Sequence, residues 1–399
     1  MEGRAKWFAQ AIISKLMPRK KDRYVFTSFE GHYNDNPRYI SETMQRIAPE
    51  KEIVWLVSRD RLALLPDGVR GVEYGTMKAA VMRGSATALV DNVYGERSCW
   101  MYSEQLTMKQ KLICFLVKKQ GQRLYTTFHA TPLKHLGRDQ IGNRFCGLIC
   151  PETTMMLGNQ FTVDIMDHVT FGAVHTVLLG SPRNDPLFLD DAEKAKLRGM
   201  LGLPMERKVI LYAPTFRNDG RDTEGKNVRR SGIEQLESMD PERLFGALSS
   251  RFGGEWIMVC RFHYHVESMV NWDDLEKRYP GRFINGNRFD DMAGYLTCAD
   301  VLVTDASSSM FDFALTGRPC FLYFPDYEHY RDEERGFYTD PEQLPFPLCR
   351  NFDTLTKAIA DFDGDRYAKE VGEMLDRFGN VDHGRSAEAA VEYILAGKV

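Results

Sequence analysis

Short apolar, β-branched runs alternate along the chain with longer segments of helical spacing, and this pattern predicts parallel strands joined by crossover helices. In the first half the strand runs are Tyr24–Ser28, Ile53–Val57, Ala88–Asp91, Arg123–Phe128 and Thr176–Leu179. In the second half they are Lys208–Tyr212, Trp256–Cys260, Val301–Thr304 and Cys320–Phe324. Ser41–Ile47, Pro241–Arg251 and Met310–Leu315 carry the helical spacing expected of the connections. Between the two sets, Gly180-Ser181-Pro182-Arg183-Asn184-Asp185-Pro186 is dense in turn formers and marks a domain boundary. Asn218–Ser231 is charged and glycine-bearing, with no apolar period, and reads as a long loop. The expected architecture is α/β: two Rossmann-like domains, residues 23–185 and 186–399, whose parallel sheets face a central cleft.

Residues 1–22 follow a different pattern. Trp7, Phe8, Ala11, Ile12 and Leu16 recur at helical spacing, with Arg19-Lys20-Lys21 behind them. A basic amphipathic helix of this kind can lie on an anionic membrane surface. The alternative is that it packs on the rest of the fold and its basic residues are simply solvated.

Composition narrows the class. A chain of 399 residues has room for two or three domains of roughly 100–200 residues. With 43% hydrophobic and 27% charged residues it is an ordinary globular protein, and a net charge of −4 gives no sign of nucleic-acid binding. Its eight cysteines form no CxxC pair, and several lie in apolar runs, as Cys260 does. Reduced, buried thiols and a cytoplasmic setting are therefore expected, without a zinc site. No apolar run reaches the roughly 18–20 residues that span a bilayer, and the N-terminus lacks a signal-peptide pattern.

In open parallel sheets, ligands bind beyond the carboxyl ends of the strands. Four such ends carry candidate chemistry. After Arg123–Phe128 comes His129, whose imidazole can serve as a general base or merely hold a loop. After Lys208–Tyr212 comes Arg217, whose planar fork suits a phosphate or a surface ion pair. After Trp256–Cys260 comes Arg261-Phe262-His263-Tyr264-His265. His263 and His265 share a face of an extended segment, but no companion ligands stand at metal spacing, so a contact to a phosphate is the preferred role for His263. The fourth end is Thr304-Asp305-Ala306-Ser307-Ser308-Ser309, a strand end leading into a helix. Hydroxyls, N–H groups and the positive dipole end make it an anion site, and the plain alternative is helix capping. Asp305 and Asp312 suit a scaffolding role, with Asp326 and Glu328 further candidates for ligand contacts.

At these residues the chain resembles the CDP-glycerol glycerophosphotransferase family, which includes the teichoic acid glycerol and ribitol phosphate primases and polymerases. The resemblance runs from about residue 23 to 380 through an ordered set of motifs. They are Phe26-Thr27-Ser28 with Asp35 to Ile40, His129-Ala130-Thr131-Pro132-Leu133-Lys134, Gly180 to Asp185, and Tyr212 to Arg217. Thr304 to Ala314 follows, then Arg318-Pro319, Tyr330-Arg331-Asp332 and Arg335 to Tyr338. Ala130 departs from the family's usual glycine.

The resemblance implies a GT-B-like fold, with an acceptor domain at 23–185 and a CDP-donor domain at 186–399. It also implies transfer of glycerol phosphate from CDP-glycerol to a membrane-linked teichoic acid or capsule glycan, with release of CMP. His129 and His263 take the family's two histidine roles, with His129 the base. Arg217, Ser307 and Ser308 take its phosphate contacts, joined by Thr304, Asp305 and Ser309 at the same junction. No bound metal is required, although a magnesium ion on the donor diphosphate is compatible. The expected setting is peripheral, at the inner face of the cell membrane. Three alternatives stand: CDP-ribitol as donor, a GT-B glycosyltransferase using a nucleotide sugar, and a catalytically idle scaffold that keeps the fold.

Overall fold

The computed structural model describes residues 2–29, 31–92, 121–139, 153–170, 172, 174–215, 231–262, 270–334 and 336–398. Its described residues form two parallel sheets. The first contains β1 (Arg23–Phe26), β2 (Glu52–Val57), β3 (Gly71–Glu73), β4 (Ala88–Asp91), β5 (Arg123–Thr126), β6 (Thr153–Leu157) and β7 (His175–Leu178). The second contains β8 (Lys208–Ala213), β9 (Trp256–Cys260), β10 (Phe283–Asn285), β11 (Val301–Thr304), β12 (Cys320–Tyr323) and β13 (Leu348–Cys349). Strand order is β3-β2-β1-β4-β5-β6-β7 in one and β10-β9-β8-β11-β12-β13 in the other. Each sheet therefore reverses direction once, at β1/β4 and at β8/β11.

The strands expected from sequence are present, each within two residues of its expected ends. β1, β4, β9, β11 and β12 are buried at every position, as strands covered on both faces must be. Apolar side chains then line both sides of the backbone, which is why these segments read as unbroken runs rather than alternating ones. Cys260, Cys298, Cys320 and Cys349 are free and buried. Burial pushes the Cys298 thiol up to about 11. The other four cysteines lie outside the described residues.

The chain divides into two compact units. One comprises Met1–Ala130, Leu136–Asp185 and Gly379–Val399, the other Thr131–His135 and Pro186–Phe378. This departs from a single division at 185/186 in two places. Gly379–Val399 belongs with the first unit because its helix, Ser386–Ala396, buries Ala390, Val391 and Ile394 against Ile40, Met44 and Trp55. Burial of this kind is worth about 1.5–3 kcal/mol for each large aliphatic side chain. Arg123 and Tyr125 of β5 tie the same tail down, donating to the carbonyls of Ile394 (3.2 Å) and Lys398 (3.0 Å). Thr131–His135 leaves the first unit directly after Ala130. There the Tyr338 N–H donates to the Leu133 carbonyl at 2.8 Å, and the His135 N–H to that of Gly336 at 3.2 Å.

The N-terminal helix, Glu2–Leu16, packs on the helix Met77–Ser85 of its own unit. Ala11 and Ser14 are buried, and Gln10 donates to the Gly75 carbonyl at 2.5 Å. Gly84 makes the approach possible, since a Cβ there would lie 2.2 Å from the Ser14 carbonyl oxygen and 2.6 Å from its Cα. Both are backbone atoms, so no side chain can swing aside. Gly84→Ala should therefore lift the first helix at an overpacking cost of about 1–3 kcal/mol. Hydrogen exchange should rise across residues 2–16 while the amides of β1, β2 and β4 stay protected.

Candidate functional site

The first unit gathers its polar residues at the carboxyl ends of β1, β4 and β5, around the β1/β4 switch point. The Phe29 N–H, after β1, donates to Asn92 Oδ1, after β4, at 3.3 Å and closes the gap that the reversal opens. His129 follows β5 after Thr127 and Phe128. Its Nδ1 lies 3.3 Å from the Asn92 carbonyl oxygen, and a carbonyl can only accept. Nδ1 therefore carries the proton, and Nε2 is the basic nitrogen. The rings of Phe128 and Phe29 pack against the imidazole, with centroids at 4.3 and 5.4 Å.

Backbone strain concentrates here. Among the described residues the non-glycine positive-φ positions are Phe29 (φ 28), Asp35 (φ 57) and Phe128 (φ 50). Bulky phenylalanines in this region are unfavourable and persist only where surrounding contacts overdetermine them. Those contacts are present. Asn36, 2% exposed, donates through Nδ2 to the Phe128 carbonyl at 3.2 Å. Its Oδ1 accepts the Arg183 N–H at 2.9 Å. The Arg183 guanidinium donates to the His129 carbonyl, and to Asp35 Oδ2 at 3.1 Å. Ala130 is not among the positive-φ residues, so an alanine sits where the family's glycine would without conformational penalty.

The segment expected only as a boundary thus scaffolds the site. Gly180 (φ 86) lies so close to Ser386 that a Cβ would meet its Oγ at 2.1 Å. Asp382 accepts from the Ser181 N–H at 2.6 Å and from Asn184 Nδ2 at 3.2 Å. Asp185 accepts the Ser386 and Ala387 N–H groups at 2.9 and 2.8 Å, capping the last helix. Burial raises the Asp185 carboxyl, and those two amides pull it back.

In the second unit the equivalent switch point lies between β8 and β11. The Thr215 N–H, after β8, donates to Asp305 Oδ1, after β11, at 2.7 Å. Thr304 Oγ1 donates to the Ala213 carbonyl at 2.6 Å. Both residues are 1% exposed and serve the junction's own architecture. Ser307 and Ser308 are half-buried, while Ser309 is buried at the start of the helix Ser309–Ala314. The Ser307 and Ser309 hydroxyls lie 2.9 Å apart. Ser308 occupies the cap position in helical geometry (φ −62, ψ −12) and makes no side-chain cap bond. The junction therefore presents hydroxyls at a helix start without spending Ser308 on capping. Of the further candidates, Glu328 pairs with Arg350 at 2.6 Å.

Arg217, His263 and His265 lie outside the described residues. Arg261 and Phe262, which follow β9, are described. Asn287 grips Phe262 on both sides, accepting its N–H at 3.0 Å and donating to its carbonyl at 2.6 Å. Arg261 donates to the carbonyls of Gly286 (2.7 Å), Phe289 (2.6 Å) and Asp290 (2.9 Å). Sequence reasoning passed over Asn92, Arg183 and Asn287 as site residues. The available signals were an Asx residue just beyond a strand for Asn92 and the Asn285-Gly286-Asn287 turn for Asn287.

Two parallel α/β units with polar residues collected beyond their strand ends define a GT-B-like protein. The chain belongs to the CDP-Glycerol:Poly(glycerophosphate) glycerophosphotransferase family, whose pattern it matches over residues 9–396. It is 29% identical to a teichoic acid poly(glycerol phosphate) polymerase of Staphylococcus epidermidis over 92% of this chain, and spans 50% of that relative's length. A Staphylococcus aureus teichoic acid glycerol-phosphate transferase is 26% identical, over 96% of this chain and 95% of its own. A teichoic acid poly(ribitol-phosphate) polymerase of Bacillus spizizenii matches over only 55% of this chain, at 26% identity. The wall teichoic acid polymerase TagF, in a variant soaked with CDPG, aligns with a TM-score of 0.74 at 25% identity, covering 95% of this chain and 90% of the other.

Proposed function

We propose that this chain transfers glycerol phosphate from CDP-glycerol to a hydroxyl of a membrane-linked teichoic acid or capsule-type glycan, releasing CMP. The observation that carries the reading is His129, an imidazole with Nδ1 committed to a backbone carbonyl and held by strained neighbours at a strand end. The family supports the donor class. Glycerol over ribitol is favoured because the glycerol-phosphate relatives match the chain over 92% and 96%, against 55% for the ribitol-phosphate polymerase.

In this scheme the acceptor oxygen attacks the phosphorus that bears glycerol. The bond from that phosphorus to the bridging oxygen breaks, its electron pair leaves with CMP, and the acceptor proton passes to His129 Nε2. The Ser307 and Ser308 hydroxyls, with the N–H groups of the junction, hold the donor diphosphate. Arg217 and His263 take the roles the resemblance gives them, offsetting charge on the transferring phosphoryl and on departing CMP.

His129→Ala should lower the rate of CMP release by at least about 10²-fold, while the Kd for CDP-glycerol from calorimetry stays unchanged. Normal turnover would remove His129 as the base. Release of UDP or GDP from a sugar nucleotide, in place of CMP from CDP-glycerol, would make the protein a glycosyltransferase.

Replacing Ser307 and Ser308 together by alanine should weaken CDP-glycerol binding by about tenfold or more, because hydrogen bonds to a charged group are lost. An unchanged Kd would take the junction out of the donor site.

We also infer that the first helix rests on a membrane surface. Among the described residues no helix is long and apolar enough to cross one. Ile12 and Leu16 are instead 39% and 72% exposed on the helix, with Arg19, Lys20 and Lys21 exposed behind them. Apolar side chains beside basic ones suit an anionic surface. The wild-type chain should float with vesicles containing phosphatidylglycerol, and Ile12→Asp with Leu16→Asp should abolish flotation without lowering thermal stability. Flotation of the doubly substituted chain would assign membrane binding elsewhere.

A further inference from the structure

We propose that Arg183 is a positioning residue for His129, and that the Gly180–Asp185 segment acts in the reaction through it. The proposal rests on the reading of His129 as general base.

The direction of a side chain is set by the peptide planes on either side of its Cα. At His129 both flanking carbonyls are held by side chains distant in sequence. Asn36 Nδ2 donates to the Phe128 carbonyl, and the Arg183 guanidinium donates to the His129 carbonyl. The two clamps are joined, because Asn36 Oδ1 accepts the Arg183 N–H at 2.9 Å. With Nδ1 tied to the Asn92 carbonyl, the imidazole is anchored at its backbone on both sides and at its ring.

The clamp is ionic. Arg183 and Asp35 pair at 3.1 Å with side chains 12% exposed each. A charge so removed from water needs a partner, and Asp35 supplies it from a left-handed backbone position (φ 57). The same guanidinium nitrogen serves both acceptors, so the pair fixes where the Arg183 head group sits and hence where it meets the peptide after His129. A charge-assisted hydrogen bond at that carbonyl resists rotation of the peptide more strongly than a neutral one. The rest of the loop supports this arrangement, since Ser181 and Asn184 are held by Asp382, and Asp185 caps the final helix.

A residue that only stabilises the fold and one that aims a base differ in how their loss combines with loss of the base. Arg183→Ala should lower kcat for CMP release by about 10- to 100-fold through misplacement of the base, leaving the Kd for CDP-glycerol within about twofold. In a His129→Ala background the same substitution should change the residual rate by less than about twofold, because nothing remains to be aimed. Asp35→Asn is the companion variant. Asparagine tolerates the left-handed backbone at 35, so the chain should fold with the charge pair alone removed. It should show a smaller loss of kcat with the same dependence on His129.

If both substitutions leave kcat unchanged, or lower it equally with and without His129, the positioning role is overturned while the base assignment stands. If His129→Ala itself turns over normally, both fall. Should Arg183→Ala fail to fold, the Asp35→Asn cycle decides.

Discussion

A parallel sheet that reverses its strand order must open a gap between neighbouring strands at their carboxyl ends, and both sheets of this protein are organised around that gap. The connections leave in opposite directions, so backbone groups just beyond the ladder lose their regular partners. In each sheet a short polar side chain from one strand end accepts an N–H from beyond the other. Asn92 does so for Phe29, and Asp305 does so for Thr215. An Asx side chain suits this position because it is short enough to mimic a missing carbonyl. The candidate chemistry lies beside these closures: His129 follows the strand next to Asn92, and the serine junction follows Asp305 directly. The site is thus built where the fold is least able to satisfy its own backbone.

Much of this was legible in the sequence, and the physical reason is burial. Strands covered on both faces must be apolar throughout, so β1, β4, β8, β9, β11 and β12 stood out. Four strands did not. β3, β10 and β13 span two or three residues, too few to show any period. β6 reads Thr-Thr-Met-Met-Leu, and methionine and leucine favour helix at least as strongly as strand. The first helix was legible as a helix, but its orientation was not. Ala11 faces inward and Ile12 outward, an arrangement decided by a close approach at Gly84 that no periodicity encodes.

The site was legible as far as a strand end can be inferred. His129 and the Ser307–Ser309 junction stood out because chemically able residues followed apolar runs directly. What lay hidden was the grip on them. A stretch rich in glycine, proline, serine and asparagine looks the same whether it merely links or also scaffolds. Only the fold shows Arg183 meeting Asp35 and the His129 carbonyl, far apart in the chain. Thr304 and Asp305 are a similar case. The sequence places them at an anion-type junction, and the fold adds the bonds their side chains make to the end of β8.

The last helix has a bearing on how the molecule comes into being. Its residues Ala390, Val391 and Ile394 complete the hydrophobic core of the first unit, yet they are the last of that unit to be synthesised. Residues Pro186–Phe378, the bulk of the other unit, are translated in the interval. A ribosome adds roughly 5–20 residues per second, and domains generally fold from the N-terminus onward. Here the first unit's covering helix follows all described strands of the second in the chain. The second unit has its full complement of strands while Ile40, Met44 and Trp55 of the first still lack their covering helix. The nascent protein consequently carries an open apolar face while Pro186–Phe378 is translated, a window in which chaperone engagement matters most.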